Sequence, residues 1–113
     1  MPEPSLKTGI WVSAQIRLCD ITNMPALVRH KGDPDAGSVI LKLDRLDGTS
    51  MLLSQSRDGE GRRAWLAPLG RAAAGNDKIE EYIGRRLAQD PDIWVLEIED
   101  RHAAYIPDAP VLD

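Results

Sequence analysis

The segment from residue 90 to residue 100 constrains the fold of this chain more than any other. Pro91 ends a helical pattern, and after it the side chains alternate between two faces as they do in a β-strand. One face carries three apolar side chains, Trp94, Leu96 and Ile98. The other face is apolar at Ile93 and Val95 and becomes acidic only at Glu97. A strand that is apolar on both faces is covered on both sides, so we predict a central strand that completes the sheet late in the chain.

Composition predicts one globular domain. The chain has 113 residues, of which 42% are hydrophobic and 28% charged, so it can bury one core without a disulfide or a metal. We treat residues 1–113 as a single domain and expect residues 1–7 and 103–113, which contain prolines, to be flexible or to lie along the surface. The net charge of −4 argues against a protein that mainly neutralises phosphates, so we do not expect a nucleic-acid partner.

Disulfide and metal chemistry have little support in the sequence. Cys19 is the only cysteine, which excludes an intramolecular disulfide and fits the reducing cytoplasm. His30 and His102 are the only histidines, too few for a dedicated zinc site without carboxylate ligands. No stretch approaches the ~20 apolar residues of a membrane span, and the first residues lack a secretion signal. We therefore predict a cytoplasmic protein with no cofactor, no metal and no membrane association.

Periodicity alone leaves residues 9–19 open between helix and strand. Apolar residues alternate there as in a strand, but they also recur at helical spacing. Thr8 can serve as an N-cap, and Ala14 and Gln15 are good helix formers, so we favour a helix.

The rest of the chain predicts five strands and a second helix. The strands cover residues 26–30, 38–46, 49–55, 63–67 and 93–98. The dipeptide Asp47-Gly48 marks a tight hairpin between the second strand and the third. The helix runs from Asn76 or Asp77 to Gln89, with Asp77 and Glu80 spaced as in a capping box.

The fold class that follows is α+β, close to an α/β sandwich, in one domain with the element order α-β-β-β-β-α-β. We expect a mixed, mostly antiparallel sheet in which the first four strands form a meander. The two helices should cover opposite faces of this sheet, because the last strand is apolar on both sides.

The loop at residues 29–37 is the first candidate site. It brings together a guanidinium, an imidazole, an ammonium and two carboxylates, on Arg29, His30, Lys31, Asp33 and Asp35. Such groups suit acid–base catalysis or anion binding. The same stretch is typical of a turn whose aspartates bond to the backbone, with Pro34 fixing one φ and Gly37 taking a positive one.

The acidic end of the last strand is the second candidate site. Glu97 and Glu99 are two residues apart and share one face, so their carboxylates can bind a divalent cation. Acids at the end of a strand are more often solvated or paired with arginines. Both interpretations stay open at this point.

Four segments resemble a small alphaproteobacterial family of proteins of unknown function. The shared stretches are Trp11-Val12-Ser13-Ala14, the loop from Arg29 to Gly37, Ala64-Trp65, and the segment from Asp90 to Arg101. The resemblance spans nearly the whole chain. It implies single-domain bacterial cytosolic proteins and favours the helix over residues 9–19. It implies no activity, substrate or catalytic residue.

Two functional hypotheses follow from these patterns. The first is a small non-catalytic binding or interaction module, with a homodimer through an exposed strand edge as one form of association. The second is a small enzyme that uses the loop from Arg29 to Asp35 together with Glu97 and Glu99 as an acid–base or anion-binding site. Convergence of these side chains on one pocket would favour the enzyme, and dispersal would favour the module.

Overall fold

A seven-stranded sheet with a helix on each face organises the chain. A computed structural model describes residues 6–112, so the expectations for residues 1–5 and 113 lie outside the described part. The helices are α1 (Thr8–Ile21) and α2 (Asn76–Gln89). The strands are β1 (Ala26–His30), β2 (Val39–Asp44), β3 (Thr49–Arg57), β4 (Arg63–Leu66), β5 (Ala74–Gly75), β6 (Trp94–Glu99) and β7 (Val111–Leu112).

The late strand β6 is central, as predicted. The strand order is β1-β6-β2-β3-β4-β7, and the short β5 pairs with β3 outside this path. β6 is antiparallel to β1 and parallel to β2, so that Leu96 lies between Val28 on one side and Leu41 on the other. The mixed, mostly antiparallel sheet is confirmed, since only the pairs β2 with β6 and β4 with β7 are parallel.

The predicted four-strand meander is wrong at its first step. β2, β3 and β4 do follow one another through antiparallel pairs, but β1 and β2 are separated by β6. The connection from β1 to β2 is the long loop 31–38 rather than a tight turn, so it leaves room for another strand between them. The short strands β5 and β7 are also absent from the sequence prediction.

The two helices cover opposite faces of the sheet, as expected. On one face α1 packs with the apolar side of β6, in a cluster that includes Trp11, Val12, Cys19, Trp94, Leu96 and Ile98. On the other face α2 contributes Ile79 and Ile83 to a second cluster with Ile93 and Val95. The alternation of β6 between two apolar faces therefore reflects two separate layers of core.

Neither helix begins with the predicted side-chain cap. Lys7 holds the N-cap position of α1 and Gly75 that of α2, and neither helix has a side-chain cap hydrogen bond. Instead, the backbone N–H of Gly9 donates to the carbonyl of Pro34 at 2.9 Å, and the Thr8 hydroxyl donates to the carbonyl of Gly37 at 2.7 Å. The loop before β2 therefore satisfies the start of α1.

Candidate functional site

Four charged side chains form an ion-pair cluster on the α2 face of the sheet. The ion-pair cluster consists of Arg29, Lys42, Glu80 and Glu97. Arg29 donates to both carboxylate oxygens of Glu80, at 2.5 and 2.8 Å, and to Glu97 at 3.1 Å. The ammonium of Lys42 lies 2.8 Å from Glu80 and 3.3 Å from Glu97. Each cation thus contacts both carboxylates, and the cluster is electrically neutral.

Strand register and one bulge bring these side chains together. Lys42 on β2 and Glu97 on β6 are direct partners in the parallel pair. The pairing of β1 with β6 shifts between Val28 and His30, and this bulge lies at Arg29. Glu80 reaches the cluster from the first turns of α2.

Mutual hydrogen bonds favour the charged forms of Arg29 and Glu80. The Lys42 side chain is only 8% exposed, so it is held among carboxylates rather than in water. Hydrogen bonds from Arg29 lower the pKa of the Glu80 carboxyl to about 2, from an ordinary value of 4.5. The hydrogen bonds to Glu80 in turn raise the pKa of the Arg29 guanidinium above its ordinary value.

Arg29 and Glu97 are the two predicted site residues that the fold brings together. Sequence reasoning missed their partners Lys42 and Glu80. The available signal was Lys42 itself, a lysine between two leucines in a largely apolar strand, which needs carboxylate partners once it is buried. Nothing in the pattern of α2 indicates that Glu80 supplies one of them.

The other predicted site residues lie outside the ion-pair cluster. His30 makes a 2.8 Å hydrogen bond between its Nδ1 and the carbonyl of Ile93. The Asp33 carboxylate accepts the backbone N–H of Ala36 at 3.0 Å, and the exposed Asp35 lies 3.7 Å from Lys7. The remaining two, Lys31 and Glu99, are exposed. The loop side chains are therefore spread along a turn rather than gathered on one pocket.

Close packing, not backbone conformation, explains the two glycines of this loop. The positive φ predicted for Gly37 is wrong. A positive φ, of 89°, occurs instead at Gly48 in the hairpin turn. A Cβ atom on either Gly32 or Gly37 would overlap the carbonyl oxygen of Asp92. The loop and the start of β6 are pressed together backbone to backbone, which only glycine permits.

A second polar cluster, not predicted from the sequence, lies on the α1 face. The carboxylate of Asp108 accepts the indole N–H of Trp11 at 2.8 Å and that of Trp65 at 3.1 Å, and it pairs with Arg63. The Arg63 guanidinium also lies over the Trp11 ring, 5.6 Å from its centroid. Buried indoles need an acceptor, but nothing in the sequence indicates that it comes from the chain's C-terminal segment.

Asp100 anchors the start of that C-terminal segment. Its carboxylate is 2% exposed, pairs with Arg45 at 3.0 Å, and accepts the backbone N–H groups of Ala104 and Tyr105 at 2.7 and 3.0 Å. The Tyr105 hydroxyl donates to Gln15 on α1 at 2.9 Å, and burial raises the pKa of this tyrosine. Asp100, directly after β6, thus stabilises the turn that brings the chain back over α1.

Residues 6–112 contain neither a cluster of metal-binding side chains nor a helix that could cross a membrane. No group of three or more His, Cys, Asp or Glu side chains in this range is arranged to hold a metal ion. Neither helix in the same range is long and apolar enough to span a bilayer.

Fold and clusters together define a small α+β domain, with one helix on each face of a mixed sheet and with its inner charges paired to one another. The chain belongs to the DUF1491 family, proteins of unknown function, whose family model matches residues 6–107. The resemblance to a family of unknown function is thereby confirmed at the level of the family.

Solved structures of similar proteins have the same fold. A crystal structure of a DUF1491 family protein from Caulobacter crescentus CB15 is 39% identical with a TM-score of 0.85, over 96% of this chain and 100% of that one. An NMR structure of a DUF1491 family protein from that organism is 40% identical with a TM-score of 0.81, over 98% and 100%. The solution structure of protein Atu0922 from A. tumefaciens is 27% identical with a TM-score of 0.72, over 83% and 85%. No curated protein matches the chain.

Proposed function

We propose that the protein is a non-catalytic interaction module of the cytoplasm, and that it forms a homodimer by pairing strand β1 with β1 of a second copy. The observation that carries this proposal is the open edge of β1. Within the described chain β1 has a neighbouring strand on one side only, and two of its apolar side chains, Leu27 and Val28, are 52% and 37% exposed. An open edge with apolar side chains favours pairing with another strand.

The backbone of β1 offers hydrogen-bonding groups to such a strand. The N–H of Glu99 donates to the carbonyl of Pro25 at 2.8 Å, which makes these two residues a hydrogen-bonded pair. Because such pairs alternate along an antiparallel ladder, the peptide groups of Ala26 and Val28 point away from β6. The missing N–H of Pro25 faces β6, so it leaves no gap in the outer edge.

The edge is complementary to itself. In an antiparallel pair centred on Leu27, Ala26 of one copy lies opposite Val28 of the other, and their outward N–H and C=O groups bond to each other. Leu27 then faces Leu27 of the second copy at a non-hydrogen-bonded position, where side chains approach most closely. This contact would bury an exposed leucine that the monomer leaves in water.

The neutral ion-pair cluster supports a non-catalytic role. A general acid or base has to reach its substrate. Arg29 and Glu97 instead bond to each other, and in addition Arg29 pairs with Glu80 and Glu97 pairs with Lys42. The alternative, a small enzyme built on the Arg29–Asp35 loop and Glu97 with Glu99, has the 3.1 Å contact of Arg29 with Glu97 in its favour. The spread of the loop side chains argues against it.

Sedimentation equilibrium over a concentration series up to roughly 1 mM tests the homodimer. We expect a monomer–dimer equilibrium for the wild type and a monomer for Leu27→Lys. Ile106→Lys is the matched control, because Ile106 is an 85% exposed aliphatic residue that is not part of β1. Amide hydrogen exchange should slow at Ala26 and Val28 as the dimer forms. A wild type that stays monomeric throughout the series would remove the proposal.

A further inference from the structure

The opposite edge of the sheet is covered by the chain itself. Residues 108–112, called here the tail segment, run alongside β4. The N–H of Trp65 donates to the carbonyl of Pro110 at 2.8 Å, and β7 pairs in parallel with β4, placing Val111 beside Trp65 and Leu112 beside Leu66. An added strand of this kind is how many domains bind extended peptides.

The pocket that holds Asp108 contains three hydrogen-bond donors. Trp65 is fully buried and Trp11 is 4% exposed, and both direct their indole N–H to the Asp108 carboxylate, which Arg63 also contacts. We call Trp11, Arg63 and Trp65 the carboxylate receptor. Because indole N–H groups and guanidinium can only donate, the carboxylate receptor selects an acceptor that carries negative charge.

Outside these contacts, Arg71 donates to the carbonyl of Val111 at 2.7 Å, and Ala109 and Val111 pack against the hydrophobic cluster on the α1 face. Asp100 and Gln15 secure the chain as far as Tyr105, and Ile106 after it is 85% exposed. Val111 and Leu112 are only partly buried. No residue of the tail segment is among the buried members of the two hydrophobic clusters, so the tail segment can leave β4 while the buried core stays packed.

Space for a longer ligand lies next to Asp108. A cleft of about 580 Å³ borders the carboxylate receptor and includes Leu6, Ala14 and the side chain of Arg62, which is 59% exposed. Residues that precede the aspartate of a bound peptide can lie in this cleft.

We propose that the β4 edge and the carboxylate receptor form a peptide-binding site that the tail segment occupies in cis. Its ligand is an extended, acidic segment of a partner protein. In this segment an aspartate is followed by aliphatic residues at the third and fourth positions after it, as Asp108 is followed by Val111 and Leu112. The aspartate enters the carboxylate receptor, and the following backbone pairs with β4 in place of the tail segment. This site is independent of the β1 edge.

Chemical rescue tests the carboxylate receptor. Asp108→Ala should unfold at a lower temperature than the wild type, and acetate should restore part of the loss by filling the vacated site. Acetate should have no such effect on the wild type or on Asp108→Asn, in which an amide still fills the site. Equal effects of acetate on all three proteins would show that the carboxylate receptor does not bind a carboxylate specifically, and would overturn its assignment. Circular dichroism of each variant establishes that it is folded.

Peptide binding tests the ligand class. A synthetic peptide with the sequence of residues 106–112 should bind to Asp108→Ala and change the fluorescence of the buried tryptophans. The same peptide with asparagine in place of aspartate should bind about tenfold more weakly or worse. Adding Arg63→Gln to the Asp108→Ala background should reduce that preference. Absence of saturable binding, or equal binding of both peptides, would overturn the proposal.

A Leu27→Lys background separates this site from the β1 edge. If that variant is monomeric, the peptide experiments report on the β4 site alone. If it still forms dimers that the peptide dissociates, the occupant is the tail segment of a second copy, and the assignment to a partner protein is overturned.

Discussion

The indole N–H of Trp94 donates to the backbone carbonyl of Asp33 at 2.8 Å and so fastens the central strand to the loop before β2. The backbone N–H of Asp33 returns a hydrogen bond to the carbonyl of Asp92 at 3.0 Å. The charged loop and the start of β6 are thus one packed unit.

Truncation of Trp94 should be among the most destabilising changes in the chain. Trp94→Ala removes a large side chain that is 6% exposed and leaves a cavity against α1, so we expect a loss of roughly 3–5 kcal/mol in the free energy of unfolding. Trp94→Phe keeps most of the packing and loses the bond to Asp33, at a cost of about 1–2 kcal/mol. Urea titration measures both. A loss below about 0.5 kcal/mol for the alanine variant would contradict the core position.

Gly32→Ala and Gly37→Ala should each destabilise the domain by about 1–3 kcal/mol, because the added Cβ meets the Asp92 carbonyl and backbone cannot yield as a flexible side chain can. Gly84→Ala on α2 is the matched control. A Cβ there meets nothing within 4 Å, and alanine in a helix should stabilise the domain by about 0.5–1 kcal/mol. Thermal and urea unfolding compare the three. Neutral effects at residues 32 and 37 would show that the loop is free to move.

Glu80 should make stability depend on pH in the acid range. Its pKa falls from 4.5 to about 2 on folding, so its stabilising effect is complete above about pH 4.5 and is lost as the pH drops toward 2. Since its side chain is 40% exposed, solvent screening limits the size of the effect. Urea titrations between pH 7 and pH 2 should show a shallower acid loss for Glu80→Gln. Glu81→Gln, exposed on the same helix, is the control and should follow the wild type.

The ion-pair cluster should behave as a coupled unit. Lys42→Met leaves two carboxylates facing one arginine, and we expect it to cost about 1–3 kcal/mol at pH 7. Glu97→Gln alone leaves excess positive charge and should also destabilise. Combining the two restores neutrality, so the double variant should lose less than the sum of the single losses, by at least about 0.5 kcal/mol. Additive losses in a double-mutant cycle would mean that the four side chains are not energetically connected.

Local patterns determined the elements and the core of this protein. The alternation in β6, the turn at Asp47-Gly48 and the helical spacing in α2 are properties of a few neighbouring residues, and each predicted the element that the structure contains. A large aromatic side chain has few stable alternatives to burial, and Trp11, Trp65 and Trp94 are all at most 6% exposed.

Only the tertiary structure decided how these elements are arranged and which polar groups meet. The insertion of β6 between β1 and β2 depends on pairing energies across the whole sheet, which no single segment encodes. Glu80 and Arg29, which form a hydrogen bond, are 51 residues apart in the sequence, and Asp108 and Trp11 are 97 residues apart. Carboxylates are mostly exposed to solvent in folded proteins, so the sequence does not show which of them is paired. A carboxylate acquires a partner only where the fold brings a donor within hydrogen-bonding distance.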